Sequence, residues 1–271
     1  DRVVVGTDDD RARQVMKELY RPLFLNETPI LFTSRRTSEL IKYAANAFLA
    51  VKITFINEMA DLCEKVGANV QEVSRGIGLD GRIGSKFLNA GPGYGGSCFP
   101  KDTLALTKTA NDHGSPVRIV DTVVEVNAAR KKAMATKVID AMGGDVAGKT
   151  IGVLGLAFKQ NTDDMRDAPS LDILPALQAA GAKIKAYDPE AMKEAAHLLK
   201  DIEFAGSAYE AAQDADALVI VTEWDQFRAL DFDRIKKALK ANVVIDLRNI
   251  YSPEDMAAKG FAYTSIGRPA V

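Results

Sequence analysis

Residues 148–271 alternate between short apolar runs typical of buried strands and amphipathic helical stretches, and this alternation constrains the fold most strongly. The predicted strands are 150–154, 183–187, 217–221 and 243–246, with a weaker one near Phe261. Predicted helices lie between them, for example at 171–180 and 233–240. Strands that alternate with helices form a parallel sheet with right-handed crossovers. Residues 142–271 are therefore predicted to form a Rossmann-like parallel α/β domain, which binds its ligands beyond the carboxyl ends of the strands.

Residues 35–141 carry helical patterns throughout, so the fold class is predicted to be α/β with an all-helical central domain. The longest predicted helix runs over 38–66, with Thr37 or Ser38 as its cap and Gly67 at its end. It is apolar almost all round over 40–55, which predicts a buried helix, packed against this chain or another subunit. Further helices are predicted to start at Asn69, followed by Glu72, and at Ser115-Pro116.

Residues 1–34 read as strand, helix and strand, which resembles the end of an α/β unit too short to hold a core alone. The chain opens with Asp1 and a strand pattern at 3–5, without Met or a signal-peptide pattern. We expect from this a segment of a longer protein, and a tag removed before a true start is the alternative. The glycines at 143–144 are a plausible joint between domains.

Overall composition excludes several functional classes. The formal net charge is -2, which argues against the basic surface of a nucleic-acid binder. No apolar run reaches the roughly 18 residues that indicate a membrane span. Two cysteines, Cys63 and Cys98, are too few for a disulfide framework and indicate a reducing, cytoplasmic compartment.

The strongest local signal is residues 91–102, Gly-Pro-Gly-Tyr-Gly-Gly-Ser-Cys-Phe-Pro-Lys-Asp. Dense glycine lets a backbone adopt unusual torsions and approach a ligand closely. A helix pattern begins at Asp102 or Thr103, which places Cys98 ahead of a helix N-terminus with Lys101 nearby. Both features favour the thiolate, the form that attacks a carbonyl. The alternative is a tight turn with a small buried cysteine. Cys63, inside the long helix pattern, is predicted to be a core residue.

Polar residues on the long helix form a second signal. At about 100° per residue, Asn46 and Asn57 lie close to Lys42 on one stripe. A buried lysine must be paired or face a site. The stripe is therefore interpreted as catalytic, and a wet cleft or pairing with a core carboxylate is the alternative.

Two glycine motifs need opposite interpretations. Residues 76–81 fit G-x-G-x-x-G, but a helix pattern precedes them, so we do not expect a dinucleotide loop. Residues 151–159 read as a strand that runs into a turn at the ligand-binding edge of the predicted sheet. Lys159, Arg166 and Arg248 could meet phosphate there, and an ordinary solvated loop is the alternative.

With these residues in view, the chain resembles the UDP-glucose/GDP-mannose dehydrogenase family along essentially its whole length. The resemblance is densest at 93–102, which is similar to the family's catalytic-cysteine segment. Further matches lie at 39–46, 81–88, 155–159, 222–224 and 246–248. Within the family the sequence resembles the UDP-glucose branch, and the GDP-mannose and UDP-N-acetylhexosamine branches are the alternatives.

The resemblance implies an NAD-dependent enzyme that oxidises C6 of UDP-glucose twice, to UDP-glucuronate. Cys98 would form a thiohemiacetal and then a thioester that water hydrolyses. Lys42 would stabilise the oxyanion, and Asn46 would hold that oxygen or a water. Asp102 would act as general base or position the water.

The same resemblance implies the binding residues and the partners. The sugar nucleotide would be bound by Arg82, Phe87, Tyr94, Gly95, Lys159 and Arg248. Lys101 and Arg166 would lie near NAD, and Arg82 would reach the substrate across a subunit contact. The implied domains are a remnant of the NAD-binding domain at 1–34, a catalytic and dimerisation domain at 35–141, and a UDP-sugar domain at 142–271. A homodimer or larger homo-oligomer is expected.

The sequence also departs from the family pattern. The family's first strand and its G-x-G-x-x-G loop for NAD are absent from these 271 residues, as is an acidic residue that assists catalysis. The resemblance therefore implies that these residues alone do not turn over substrate. A non-catalytic nucleotide-binding or dimerisation module is the alternative from another class. The set of Lys42, Asn46, Cys98 and Asp102 favours an enzyme, because a binding module needs no thiolate.

Overall fold

The computed structural model describes residues 2–26 and 29–271. At the N-terminal end, two strands and a helix form a small parallel unit, as predicted: β1 (Val3–Gly6), α1 (Asp10–Leu19) and β2 (Ile30–Thr33). Asp9 caps α1 by accepting a hydrogen bond from the backbone N–H of Arg11. A 3-10 turn, Arg21–Asn26, follows the helix.

Four helices build the central part of the chain: α2 (Arg35–Val66), α3 (Val70–Gly78), α4 (Phe99–Asp112) and α5 (Arg118–Ala141). Gly67, at φ 72°, ends α2 and Asn69 caps α3, both as predicted. The predicted start of α2 at Thr37 or Ser38 was wrong. Ser34 caps the helix by accepting from the backbone N–H of Thr37, so the first turn begins earlier.

Burial of α2 is one-sided within the chain, whereas the sequence predicts an apolar surface all round. Ala47 and Ala50 are buried on the face that packs onto α4 and α5. Leu40, Phe48 and Phe55 lie on the other side with 56%, 65% and 47% of their surface exposed. Neighbouring helices therefore cover one stripe of α2 in the described part of the chain. None of the helices described there is long and apolar enough to cross a membrane.

The C-terminal half forms one parallel sheet of six strands. They are β3 (Thr150–Leu154), β4 (Lys183–Tyr187), β5 (Ile202–Phe204), β6 (Ala217–Ile220), β7 (Val243–Asp246) and β8 (Ala262–Ser265). Their order in the sheet is β5-β4-β3-β6-β7-β8. The helices are α6 (Ser170–Ala179), α7 (Met192–Leu198), α8 (Ala208–Ala212), α9 (Asp225–Arg228), α10 (Phe232–Ala238) and α11 (Pro253–Ala258). The sequence missed β5, a three-residue edge strand that is too short for a periodic signal.

The strand order reverses between β3 and β6, and this reversal positions the site. The chain leaves β3 toward one edge of the sheet and returns at β6 to build the other edge. At such a switch point the two following loops diverge and leave a crevice at the carboxyl ends of the strands. Here those loops begin at Gly155 and Val221.

One apolar core joins the central helices to this sheet. Ile56 and Ala60 of α2 and Val138 of α5 belong to the same buried cluster as Ile151 and Ile173 of the sheet half. Lys131 of α5 also pairs with Asp172 of α6 at 2.8 Å. The relative position of the two halves is therefore set by packing, which matters because the site lies between them.

Candidate active site

The glycine loop places Cys98 at the N-cap of α4. The helix begins at Phe99, a turn earlier than the sequence predicts, because Pro100 suits the first turn of a helix. The Cys98 thiol is exposed, and the Ser97 hydroxyl lies 3.7 Å from its sulfur. The partial positive charge of a helix N-terminus therefore acts at this thiol.

Two cations lie beside the thiol, one from each half of the chain. Lys101 Nζ donates to Asp102 at 2.5 Å, and Arg166 pairs with Asp164 at 2.8 Å. The pKa of Lys101 is raised, first by its hydrogen bond to Asp102 and in smaller part by charge at Cys98. Charge at Cys98 likewise contributes, after the hydrogen bond to Asp164, to the raised pKa of Arg166. Both side chains are mostly exposed, so they can also meet a ligand.

A polar relay joins α2 to the first turn of α4. Lys42 Nζ donates to Asn46 Oδ1 at 3.2 Å, and Asn46 Nδ2 donates to Asp102 Oδ2 at 2.5 Å. Asp102 is only 3% exposed. Burial by itself would raise the pKa of Asp102, but hydrogen bonds from Lys101 and Asn46 and the nearby positive charges lower it below its ordinary value. Asp102 is therefore a buried carboxylate held in its charged form.

The predicted polar stripe of α2 divides into two parts in the structure. Lys42 is exposed rather than buried and lines a cleft of about 690 Å³ together with Asn46 and Phe87. Asn57 has a different role, because its Oδ1 accepts from the backbone N–H of Gly91 at 2.9 Å. The stripe thus serves the relay at one end and the glycine loop at the other.

Sequence reasoning missed two side chains of α5 that hold the glycine loop. Arg130 Nε donates to the carbonyl of Gly91 at 2.7 Å, and Asn127 forms two hydrogen bonds with the backbone of Tyr94. Both side chains are buried. Polar residues three apart on one helix face were the signal available, but their target lies more than 30 residues away in sequence.

A cavity of about 240 Å³ lies between the glycine loop and the β3–β6 switch point. Five of the six residues predicted to bind the sugar nucleotide line it: Phe87, Tyr94, Gly95, Lys159 and Arg248. A second cleft of about 520 Å³ shares Asn89, Glu223 and Arg248 with the first. The two together form an elongated space that is lined from both halves of the chain.

Arg248 is fixed at the switch point. Its Nε donates to the carbonyl of Val221 at 2.7 Å, its Nη2 donates to that of Phe158 at 3.1 Å, and Glu223 pairs with it at 3.0 Å. Asp246, the last residue of β7, accepts from the backbone N–H of Arg248 at 2.9 Å. These contacts hold a cation where the loops after β3 and β6 diverge.

Arg82 is not among the described residues that line this cavity. Its guanidinium is 89% exposed and binds Asp80 at 2.6 Å. Phe87, a few residues on, adopts a φ of 65°, which is unusual for a bulky side chain. Gly76 and Gly78 lie in α3, so residues 76–81 do not form the strand-to-helix loop that a dinucleotide site requires, as the sequence predicts.

Cys63 differs from Cys98 as the sequence predicts. It is 4% exposed and belongs to the main core cluster. Burial, and in smaller part the charge of Glu64, raise the pKa of its thiol. Only one of the two cysteines is therefore placed for chemistry.

Comparisons with known proteins match both halves of the chain to one family. A family model described as the central domain of the UDP-glucose/GDP-mannose dehydrogenase family matches residues 36–129, and the UDP binding domain of the same family matches residues 152–253. A UDP-glucose 6-dehydrogenase of Rhizobium meliloti is 66% identical over 99% of this chain and 62% of its own length. One from Bacillus subtilis is 48% identical over 100% of this chain and 58% of its own.

Solved structures are similar over the same range. A UDP-glucose dehydrogenase from Pyrobaculum islandicum is 34% identical with a TM-score of 0.87, over 99% of this chain and 59% of that one. An NDP-N-acetyl-D-galactosaminuronic acid dehydrogenase from Methanosarcina mazei is 29% identical with a TM-score of 0.84, over 99% and 58%. The chain thus spans less than two thirds of the length of these relatives.

Proposed function

Because the chain belongs to the UDP-glucose/GDP-mannose dehydrogenase family, we propose that it carries the sugar-nucleotide site and the nucleophile of a UDP-glucose 6-dehydrogenase. The reaction oxidises C6 of UDP-glucose from alcohol to carboxylate. One observation supports this most: an exposed cysteine at a helix N-terminus stands beside a lysine–asparagine–aspartate relay, at the edge of a cavity lined by cations. A nucleotide-binding module needs neither an exposed cysteine at a helix N-terminus nor such a relay.

The sugar nucleotide binds in the cavity between the two halves. Lys159 and Arg248 supply positive charge for its diphosphate, and the shared walls of the two clefts allow an extended ligand. Phe87 and Tyr94 provide apolar walls, as expected where a sugar ring must be oriented. Gly95 lets the backbone approach the ligand because it carries no side chain.

Cys98 performs covalent catalysis. Its thiolate adds to the C6 aldehyde, a C–S bond forms, and the carbonyl electron pair moves to oxygen. Lys42 and the Asn46 amide stabilise that oxyanion. Removal of hydride from this thiohemiacetal leaves a thioester. Asp102, held as a carboxylate, positions and deprotonates the water that breaks the C–S bond and releases the thiolate.

The residues beside the thiol suit a dinucleotide. Lys101 and Arg166 are exposed cations that flank Cys98, and cationic donors are what the pyrophosphate of NAD requires. When bound, NAD accepts the hydrides that leave C6. Lys101 and Arg166 are the residues of this chain that would hold it.

The first test uses the chain itself and reads the two thiols. Iodoacetamide at neutral pH should alkylate Cys98 at least about tenfold faster than Cys63, because Cys98 is exposed at a helix N-terminus, whereas Cys63 is buried and burial raises the pKa of its thiol. UDP-glucose should slow the reaction of Cys98 and leave that of Cys63 unchanged. Equal alkylation rates for the two thiols would favour a non-catalytic nucleotide-binding module over an enzyme.

Protection also compares the substrates. The structural similarity to an NDP-N-acetyl-D-galactosaminuronic acid dehydrogenase makes another sugar nucleotide the second candidate. Stronger protection of Cys98 by GDP-mannose or a UDP-N-acetylhexosamine than by UDP-glucose would keep the mechanism and change the substrate.

Turnover is tested with the chain joined to the N-terminal NAD-binding domain that the family resemblance implies. We expect two NADH for each UDP-glucose, and loss of sustained turnover in Cys98→Ser, because oxidation of the aldehyde needs the thiol adduct. Cys63→Ser is the matched control and should retain activity. NADH production by these 271 residues alone would contradict the expectation that they do not turn over.

A further inference from the structure

A carboxamide on α5 fastens the glycine loop at its centre. Asn127 Oδ1 accepts from the backbone N–H of Tyr94 at 2.9 Å, and Asn127 Nδ2 donates to the carbonyl of the same residue at 3.0 Å. Both residues are buried, with 6% and 7% of their surface exposed. A side-chain amide that pairs with both backbone polar groups of one residue restrains the two peptide units on either side of that residue.

Gly93 makes this approach possible. It adopts a φ of 113°, and a Cβ there would lie 2.9 Å from both Asn127 Oδ1 and Lys131 Cγ. Any larger residue would push the loop away from α5. The contact between Asn127 and the loop therefore requires a glycine at position 93, although 34 positions separate the two residues in the sequence.

The contact reaches the thiol through aromatic packing. The ring of Tyr94 meets the ring of Phe99 edge to face, with centroids 6.0 Å apart. Phe99 is the first residue of α4 and follows Cys98 directly. Holding Tyr94 therefore holds the start of the helix that carries Cys98 and Asp102. The same backbone forms the wall of the cavity through Tyr94 and Gly95.

The ends of the loop are fastened by other groups. Asn57 and Arg130 hold Gly91, and the N–H of Gly96 donates to the carbonyl of Arg166 at 2.7 Å. Between these two anchors, Asn127 supplies the side-chain hydrogen bonds to Tyr94. The part of the loop that faces the ligand cavity is thus held at its backbone by this side chain.

We propose that Asn127 is a positioning residue that sets the place and reactivity of the Cys98 thiol by clamping the backbone of Tyr94 on both sides of its Cα. A role of Asn127 in catalysis rests on the proposed function, whereas its effect on the reactivity of the Cys98 thiol does not. It does not line the cavity described above; it acts through the loop.

The test replaces the carboxamide by Asn127→Asp and by Asn127→Leu. Aspartate keeps the volume of the side chain, and leucine keeps its branching at Cγ. Charged aspartate still accepts from Tyr94 N–H but repels its carbonyl, whereas protonated aspartate can donate to that carbonyl as asparagine does. Leucine loses both hydrogen bonds at every pH. Only the aspartate variant should therefore recover on acidification.

The basic side chains next to Asn127 on α5 are paired with carboxylates, so they do not obscure the comparison between Asn127→Asp and Asn127→Leu. Lys131, the nearest cation on α5, is bound to Asp172 at 2.8 Å, and Arg130 is bound to Asp61 at 2.8 Å. Asp167 also acts on Tyr94 from the loop before α6. Burial raises the pKa of the Tyr94 phenol, so the phenol stays neutral over the range tested.

The measurement is the rate at which iodoacetamide alkylates Cys98, relative to wild type at each pH. At about pH 8 both variants should be slower by roughly five- to tenfold, the order expected when a buried hydrogen bond is lost and its partner is left unsatisfied. At about pH 5.5 we expect Asn127→Asp to return to within about twofold of wild type, since a buried carboxyl is protonated more easily. Asn127→Leu should stay slow. Asn111→Asp, an exposed change of the same charge, is the matched control.

Cys63 reports on folding in the same samples. A reactive Cys63 in Asn127→Asp at both pH values would show that the variant has lost its fold, and the positioning role would be overturned in favour of a general structural one. Rates equal to wild type at every pH would overturn it as well. Because the readout needs neither NAD nor turnover, it can succeed even if the proposed reaction is wrong.

Discussion

The close approach of the glycine loop to the sheet half can be tested at Gly95. A Cβ at this position would lie 2.2 Å from the carbonyl oxygen of Asp167, which is backbone and cannot rotate away. The φ of Gly95 lies outside the left-handed region, so Gly95→Ala adds a steric overlap without torsional strain. Relief requires a shift of about 1 Å between the loop and residues 164–168, since carbon and oxygen atoms normally stay more than about 3 Å apart.

Overpacking of this kind costs about 1–3 kcal/mol. For a chain of this size each kcal/mol changes Tm by roughly 2–4 °C, so Gly95→Ala should lower Tm by about 2–12 °C. Protection of Cys98 by UDP-glucose should weaken as well, because Gly95 lines the cavity. The assay is thermal unfolding followed by circular dichroism, together with the alkylation rate.

Gly76→Ala is the matched control. Gly76 lies inside α3 with nothing within 4 Å of the added Cβ. Alanine there should raise the free energy of unfolding by about 0.5–1 kcal/mol, because it favours the helix over the unfolded chain. If Gly95→Ala proved as stable as wild type and protected Cys98 equally well, the argument from close approach would be refuted.

Three further predictions follow from buried polar groups. The pKa of Asp102 is lower in the folded protein than in the unfolded chain, so its charge stabilises the fold above the unfolded pKa, and this stability is lost as the pH falls through the folded pKa. In urea unfolding, the free energy of unfolding of wild type should therefore exceed that of Asp102→Asn by less at acidic pH than at neutral pH. Trp224→Phe removes the indole N–H that donates to buried Asp188 at 3.1 Å and should lower the free energy of unfolding by about 1–3 kcal/mol; an unchanged urea midpoint would contradict this. Arg130→Met should also destabilise by about 1–3 kcal/mol because the loop carbonyl loses its donor. Asp61→Asn, at the exposed partner, should cost under about 1 kcal/mol in the same assay.

Local sequence determined the elements and the position of the thiol. Asn69 and Gly67 act within one helical turn, so their effects could be predicted from neighbouring residues. The same holds for Cys98, because a glycine loop followed within a few residues by a helix pattern is a local signal, although the helix begins at Phe99 rather than at Asp102 or Thr103. The parallel sheet also followed from alternation along the chain, apart from the short edge strand β5.

The tertiary structure decided which polar residues share a partner. Helical periodicity placed Lys42, Asn46 and Asn57 on one stripe, but it could not show that Asp102 meets Asn46 while Gly91 meets Asn57. It also could not show that only one face of α2 is covered within the chain.

The contact between Asn127 and Tyr94 could not be predicted from the sequence for the same reason, since it joins residues that are distant along the chain. Asn127 and Gly93 each have an ordinary local interpretation, as a polar helix residue and a loop glycine. Their contact exists because α5 and the glycine loop pack together over a shared core. Local patterns follow from the torsions and spacing of neighbouring residues, whereas contacts between distant residues depend on how the whole chain packs.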